Sequence, residues 1–329
     1  MNVLNFFVSF DMKIIDIINK ASEPLISYEI IPPLRGKSAT QVYNVIDELI
    51  EFHPSFIDVT SHAADSTYVE QEDGTFKRKV QRKRPGSIGL CAAIKYRYKV
   101  EAVPHLLCRG FTRQESEDAL IELNYLGIDN VLAVTGDGDK LPGPNSSGKT
   151  TNKYSLELVE QIERMNQGQY EEDIFESTPS DFCIGVGAYP EKHPESPSLE
   201  QDIRYLKEKV AAGADYIVSQ MFFDNSDYFS FVELCRANGL QVPIIPGIKL
   251  ITKKNQITSL PKHFSVTLPD DFTKAMLNAS SPEDCVHIGL EFVLKQCEEL
   301  MSTNVPALHF YVMQDVKHIK NIVSTLKKY

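Results

Sequence analysis

Short β-branched runs alternate along this chain with longer stretches in which apolar residues recur every three or four positions. The short runs lie at 26–33 (ISYEIIPP), 56–60 (FIDVT), 102–107 (AVPHLL), 130–137 (NVLAVTGD), 183–190 (CIGVGAYP), 216–223 (YIVSQMFF), 242–248 (VPIIPGI) and 307–313 (ALHFYVM). Their length and composition predict buried strands. Helical spacing predicts helices between them, over 39–52, 88–98, 112–126, 155–165, 198–213, 226–237, 281–301 and 316–326, with one or two short ones before 281. Thr112 with Glu115, and Ser198 with Gln201, have the spacing of helix-capping pairs. Strand–helix alternation demands parallel strands and right-handed crossovers. Eight such units in 329 residues favour a closed (β/α)8 TIM barrel over an open doubly wound sheet. The whole of 1–329 therefore reads as one α/β barrel domain with three additions. These are a short N-terminal helical extension (1–22), a polar hairpin or loop at 61–86 turning at Asp73-Gly74, and a flexible Gly/Pro/Ser-rich loop at 138–153.

Composition narrows the function classes. The chain is 42% hydrophobic and 24% charged, ordinary for a globular protein, and its net charge of −11 argues against nucleic acid or an anionic membrane as partner. The basic run from Lys77 to Arg84 reads as a solvated face. The first ten residues are apolar but lack a basic leader and a cleavage site, and they are too short to span a bilayer. A cytoplasmic protein acting on small molecules is expected. The six cysteines show no metal-ligand spacing and read as reduced core thiols.

Catalytic groups of such a barrel gather at the carboxyl ends of the strands. The polar residues in or just after the runs are Glu29, Thr60, His105, Asp137, Tyr189, Gln220 and Tyr311, and together they predict a polar pocket. Each also has a structural reading, with Thr60 and Tyr311 as core hydrogen-bonders and His105 as a satisfied core histidine. Glu29 is the most informative. A carboxylate between apolar neighbours must find a partner, take a proton, or face a wet cavity, unless its strand is an edge strand in water. One His and two acids on separate strands give no metal-ligand pattern, so no metal is expected. GPNSSGKT at 143–150 matches the phosphate-loop pattern, but glycines and prolines separate it from its strand and Thr151-Asn152-Lys153 delay the helix. An NTPase is the weaker reading of that segment.

The segments SYEIIPP, FIDVT, VPHLLC, DNVLAVTGD, AYPEKHPE, DYIVSQMFFD, IIPGI and HFY, in this order, resemble the methylenetetrahydrofolate reductase family over nearly the whole chain after about residue 22. The resemblance implies a flavin-dependent enzyme that reduces 5,10-methylenetetrahydrofolate to 5-methyltetrahydrofolate, taking hydride from NADH or NADPH through FAD. It matches Glu29 to the general acid that protonates the leaving folate nitrogen, a role for which an apolar strand would raise the carboxyl pKa. It matches Asp137 to an aspartate beside flavin and pterin, and Gln220, Gln256 and Tyr311 to the substrate side. Thr60 falls at a nicotinamide contact, and His105, Gly136, Tyr189, His193, Asp202 and Lys209 at FAD contacts, with Tyr154 and Ser155 meeting the flavin from the loop. Three positions depart from the family pattern. Thr135 stands where an arginine contacts the flavin, Asp315 where an arginine can bind folate, and Leu260 where an aromatic can stack on it. These departures keep open a flavin-free or non-catalytic barrel that binds folate or another pterin. The resemblance also implies self-association, and no regulatory domain is expected after the barrel.

Overall fold

The computed structural model describes residues 12–136, 150–313 and 315–327. Its strands are β1 Leu25–Ile30, β2 Phe56–Val59, β3 Asp65–Glu70, β4 Phe76–Gln81, β5 Glu101–Leu107, β6 Asn130–Val134, β7 Cys183–Ala188, β8 Tyr216–Met221, β9 Ile244–Ile248 and β10 Ala307–Met313. Eight of them close in the order β1-β10-β9-β8-β7-β6-β5-β2, all parallel, so the chain is a (β/α)8 TIM barrel. The remaining two, β3 and β4, form an antiparallel hairpin whose connection contains Gly74 at φ +78°, a conformation glycine adopts without strain.

Local chemistry accounts for the element limits. Pro32 and Pro33, which lack an N–H to donate to a ladder, follow the end of β1 at Ile30. Thr112 and Glu115 form a reciprocal capping box at the start of Arg113–Tyr125, and Ser198 accepts from the Gln201 N–H at the start of Leu199–Ala211. Asp224 caps Asn225–Ala237 in the same way. Two short helices, Gln256–Phe264 and Asp270–Asn278, precede the long Pro282–Ser302.

The apolar residues sort into two main layers. Tyr28, Ile57, Ile184, Ile217 and Phe310 point outward and pack beneath the helices. Phe56, Val103, Leu132, Cys183, Tyr216, Val218 and Ile245 fill the barrel interior, and Ile14 and Ile18 of the helix Ile14–Lys20 cluster with them. The described part of the predicted N-terminal extension, the helix Ile14–Lys20, thus plugs the barrel's amino end, and residues 1–11 lie outside the described residues. Large and small side chains interlock inside: a Cβ on Gly185 would lie 2.4 Å from the Tyr216 ring, and one on Gly247 would lie 2.6 Å from the Tyr311 ring. All six cysteines are buried free thiols. Among the described residues, no helix is long and apolar enough to cross a membrane.

Candidate active site

Side chains alternate along a strand, so residues two apart share a face. Ser27 and Glu29 on β1 therefore share the face opposite to that of outward-packed Tyr28. Glu29 pairs in register with Asp58 of β2 and with Tyr311 of β10. Its side chain is 13% exposed, which removes the reading of a solvated edge residue.

Two strands along the wall, on β5, stands His105. Its Nε2 lies 3.7 Å from Glu29 Oε2 and 3.4 Å from Asp58 Oδ2. Burial disfavours the imidazolium, yet the carboxylates of Asp58 and Glu29 outweigh it and hold His105 above its ordinary pKa. Deeper in, His309 Nε2 is 4.0 Å from the same Asp58 oxygen, and its Nδ1 shares a 2.9 Å hydrogen bond with Ser27 Oγ. Burial pushes His309 the other way, below its ordinary value. Asp58 has zero exposure, and neither of its carboxylate oxygens has a hydrogen-bond partner among the described residues.

Tyr311 closes one side of this group. Its hydroxyl donates to the Ser219 carbonyl at 2.7 Å, and its ring meets His309 edge-on at 5.4 Å. Lys249, directly after β9, donates to the Tyr311 carbonyl at 2.9 Å. Burial pulls its pKa down to about 8 against the opposing pull of Glu29 and Asp315.

A second cluster lies at the ends of β6 and β7. Lys209 is partly buried, donates to the Gly187 carbonyl at 3.1 Å, and has its pKa lowered to about 8 by desolvation despite the nearby Asp202. Asp202 accepts the His193 backbone N–H at 2.6 Å, and the His193 ring packs edge-on against Tyr189 at 4.5 Å. Burial lowers the His193 pKa as well. Arg109 ties this cluster to β6. One guanidinium nitrogen lies 3.4 Å from the Gly136 carbonyl, and another bonds Glu195 at 3.1 Å. Gly136 has φ +85°, and a Cβ there would meet Leu107 at 3.3 Å, a backbone position suited to glycine.

The sequence-predicted residues divide accordingly. Glu29, His105 and Tyr311 meet in the first cluster, and Gly136, Tyr189, His193, Asp202 and Lys209 in the second. The Thr60 hydroxyl is buried just after β2 with no hydrogen-bond partner among the described residues, and Thr135 lends its carbonyl to the Arg109 N–H at 3.0 Å. Gln220 turns its side-chain oxygen to the Met221 N–H at 2.9 Å, and that of Gln256 accepts the Thr252 and Lys253 N–H groups at 2.9 Å each. Tyr154 is 61% exposed beside Ser155 at a helix start. Asp315 is bonded to His318 at 2.5 Å, and Leu260 is buried with Ile257 and Met276. Asp137 and the phosphate-loop-like residues 143–149 lie outside the described residues; the helix that follows begins at Ser155.

Sequence reasoning passed over Asp58, His309, Lys249 and Arg109. The signal that singled out Glu29, an ionisable residue between apolar strand neighbours, applies equally to Asp58 in FIDV and His309 in LHF.

The profile of the family described as methylenetetrahydrofolate reductase matches residues 13–327. The chain is 29% identical to methylenetetrahydrofolate reductase 1 of Schizosaccharomyces pombe, over 91% of this chain and 45% of that protein. It is 28% identical to methylenetetrahydrofolate reductase (NADH) 1 of Arabidopsis thaliana, over 96% and 51%. With the 5,10-methylenetetrahydrofolate reductase of Salmonella typhimurium it shares 29% identity over 92% and 90%. The chain thus spans about half the length of the first two relatives. Among solved structures, a Clostridium thermocellum protein described as binding two copies of 5-methyl-5,6,7,8-tetrahydrofolic acid superposes with a TM-score of 0.55 at 12% identity, covering 95% of this chain and 98% of that one. That likeness is one of fold.

Proposed function

The chain belongs to the methylenetetrahydrofolate reductase family, and from that premise we propose that it reduces 5,10-methylenetetrahydrofolate to 5-methyltetrahydrofolate with electrons from NADH or NADPH passed through bound FAD. The observation that carries this reading is the placement of Glu29. Its carboxyl stands at the mouth of a barrel plugged at the other end, mostly buried, and facing an imidazole at 3.7 Å. In that setting a carboxylic acid can hold a proton for a leaving ring nitrogen and then exist as a carboxylate opposite a cation.

The second cluster fits a flavin dinucleotide. Lys209 is a partly buried amine with one backbone acceptor and one carboxylate nearby, and it gains from a further anion such as a diphosphate. Gly136 allows close backbone approach, and the unpartnered Thr60 hydroxyl can donate to a ligand. On this reading Gly136, Tyr189, His193, Asp202 and Lys209 hold FAD, with Arg109 as the cation that Thr135 does not supply. FAD, when bound, supplies the hydride chemistry. Gln220 and Gln256, having committed their oxygens to backbone N–H groups, offer a pterin their NH2 donors.

The test separates two half-reactions. Purified protein should be yellow, its absorption should bleach with NADH or NADPH, and methylenetetrahydrofolate should restore it. Glu29→Gln should keep the bleaching and slow the recovery by about 10²–10⁴-fold, the usual contribution of a general acid. A colourless protein that cannot take up FAD overturns the flavin reading. Unchanged recovery in Glu29→Gln overturns the assignment of the acid.

A further inference from the structure

Asp58 is the least comfortable ionisable residue in the described molecule. It has zero exposure, and neither carboxylate oxygen is hydrogen-bonded. A carboxylate in that state requires a buried cation or must give up its charge. Only two basic nitrogens of the described residues stand within 4.0 Å of it, Nε2 of His105 at 3.4 Å and Nε2 of His309 at 4.0 Å. His309 is further away, has its Nδ1 committed to Ser27, and is pushed toward the neutral form by burial. His105 is nearer, is pushed toward the charged form, and presents the same Nε2 to Glu29 Oε2 at 3.7 Å.

We propose that Asp58 is a positioning residue that holds His105 as an imidazolium with its Nε2 facing the Glu29 carboxyl. The pair Asp58–His105 is then a buried ion pair whose imidazolium Nε2 also lies 3.7 Å from Glu29 Oε2. It carries no net charge, so it costs less to bury than a lone imidazolium. It stabilises the carboxylate that Glu29 becomes on giving up its proton, and so eases that step. His309 lies behind Asp58, with its Nε2 4.0 Å from Oδ2 and its Nδ1 bonded to Ser27.

The other charged and titratable groups around this pair come from several elements. Lys249 follows β9 and acts on Glu29, Tyr311 on β10 responds to both Glu29 and Asp58, and Tyr216 on β8 and Cys91 on the helix Ile88–Tyr98 respond to Asp58. Burial pushes the two tyrosines and the cysteine well above their ordinary values, which leaves them neutral near pH 7. Lys249 adds a second positive group beside Glu29 and stays in place when Asp58 is changed.

The inference rests on the proposed role of Glu29, and its test has one arm that does not. In the protein as purified, the His105 ring signals, assigned by their loss in His105→Asn, should be those of an imidazolium at pH 7 and titrate above the ordinary histidine range. In Asp58→Asn they should titrate about one pH unit or more lower. A neutral His105 at pH 7 in the parent, or the same titration in both proteins, overturns the proposal. The second arm follows flavin recovery with methylenetetrahydrofolate. In Asp58→Asn the plateau rate should drop about tenfold, and the pH at which the rate falls away should move upward, because Glu29 loses the cation opposite it. A profile left in place or moved to lower pH overturns the coupling to Glu29. If Glu29→Gln itself leaves recovery unchanged, the reading of Glu29 fails while the His105 titration still decides whether the pair exists.

Discussion

Glu101 and Asp58 lie on adjacent strands of the same barrel, one at its amino end and one toward its mouth, and their surroundings differ sharply. Glu101 accepts from Lys95 Nζ at 3.3 and 3.2 Å, from the Met12 backbone N–H at 3.1 Å and from Asn130 Nδ2 at 3.1 Å. Asn130 in turn receives the Ile14 N–H at 2.8 Å, so the same network fastens the plugging helix to the wall. Among the described residues, Asp58 has only two imidazoles at ion-pair distance. Glu101 sits in a hydrogen-bonded buried ion pair of the kind that serves stability, whereas neither oxygen of the buried Asp58 carboxylate has a hydrogen-bond partner among the described residues.

The largest effect expected from breaking this contrast is at the amino end. Glu101→Ala removes the carboxylate shared by the buried Lys95 ammonium, the Asn130 amide and the Met12 N–H, and should cost about 3–5 kcal/mol, measured by urea unfolding. At the mouth, Gly247→Ala tests packing instead. The new methyl would sit 2.3 Å from the Ser219 carbonyl and 2.6 Å from Tyr311, so a cost of about 1–3 kcal/mol is expected in the same assay, with Tyr311 displaced.

Asp58→Asn should have the smallest effect on stability, about 1 kcal/mol, and it should depend on pH. His105 has a folded pKa above its ordinary 6.5. Its contribution is therefore fully present below pH 6.5 and is lost as pH rises through the folded value. The difference between parent and Asp58→Asn should be greatest near pH 6 and shrink in alkaline solution, read from unfolding midpoints across pH. A difference that grows with pH would reverse the sign assigned to His105.

The fold was almost entirely legible in the sequence, because each strand announces itself locally by β-branched runs and each helix by its spacing and cap. The helices Ile88–Tyr98 and Val316–Leu326 and strand β10 have the predicted limits, and the charged hairpin at Asp73-Gly74 forms as expected. The site was legible only in part. Glu29 and His105 could be named from strand position, but Asp58 pairing in register with Glu29 is a fact of closure, not of local pattern. Arg109 follows Cys108 in a connection with no strand signal, and what it reaches, Gly136 and Glu195, is brought to it by two other strands. Gln220 and Gln256 show the converse. Their side-chain oxygens serve neighbouring backbone N–H groups, a local use that sequence position cannot distinguish from ligand binding.

The six thiols make the barrel its own reporter. Burial pushes Cys183 up to about 12, so as a thiol it is nearly silent to alkylating reagents while covered. It lies inside the barrel with Ile14 and Ile18, whereas Cys91 and Cys297 lie in the outer layer beneath the helices. Departure of the plugging helix alone exposes the first without the others. The order in which these cysteines become modified therefore records whether the amino end frays before the helical shell opens.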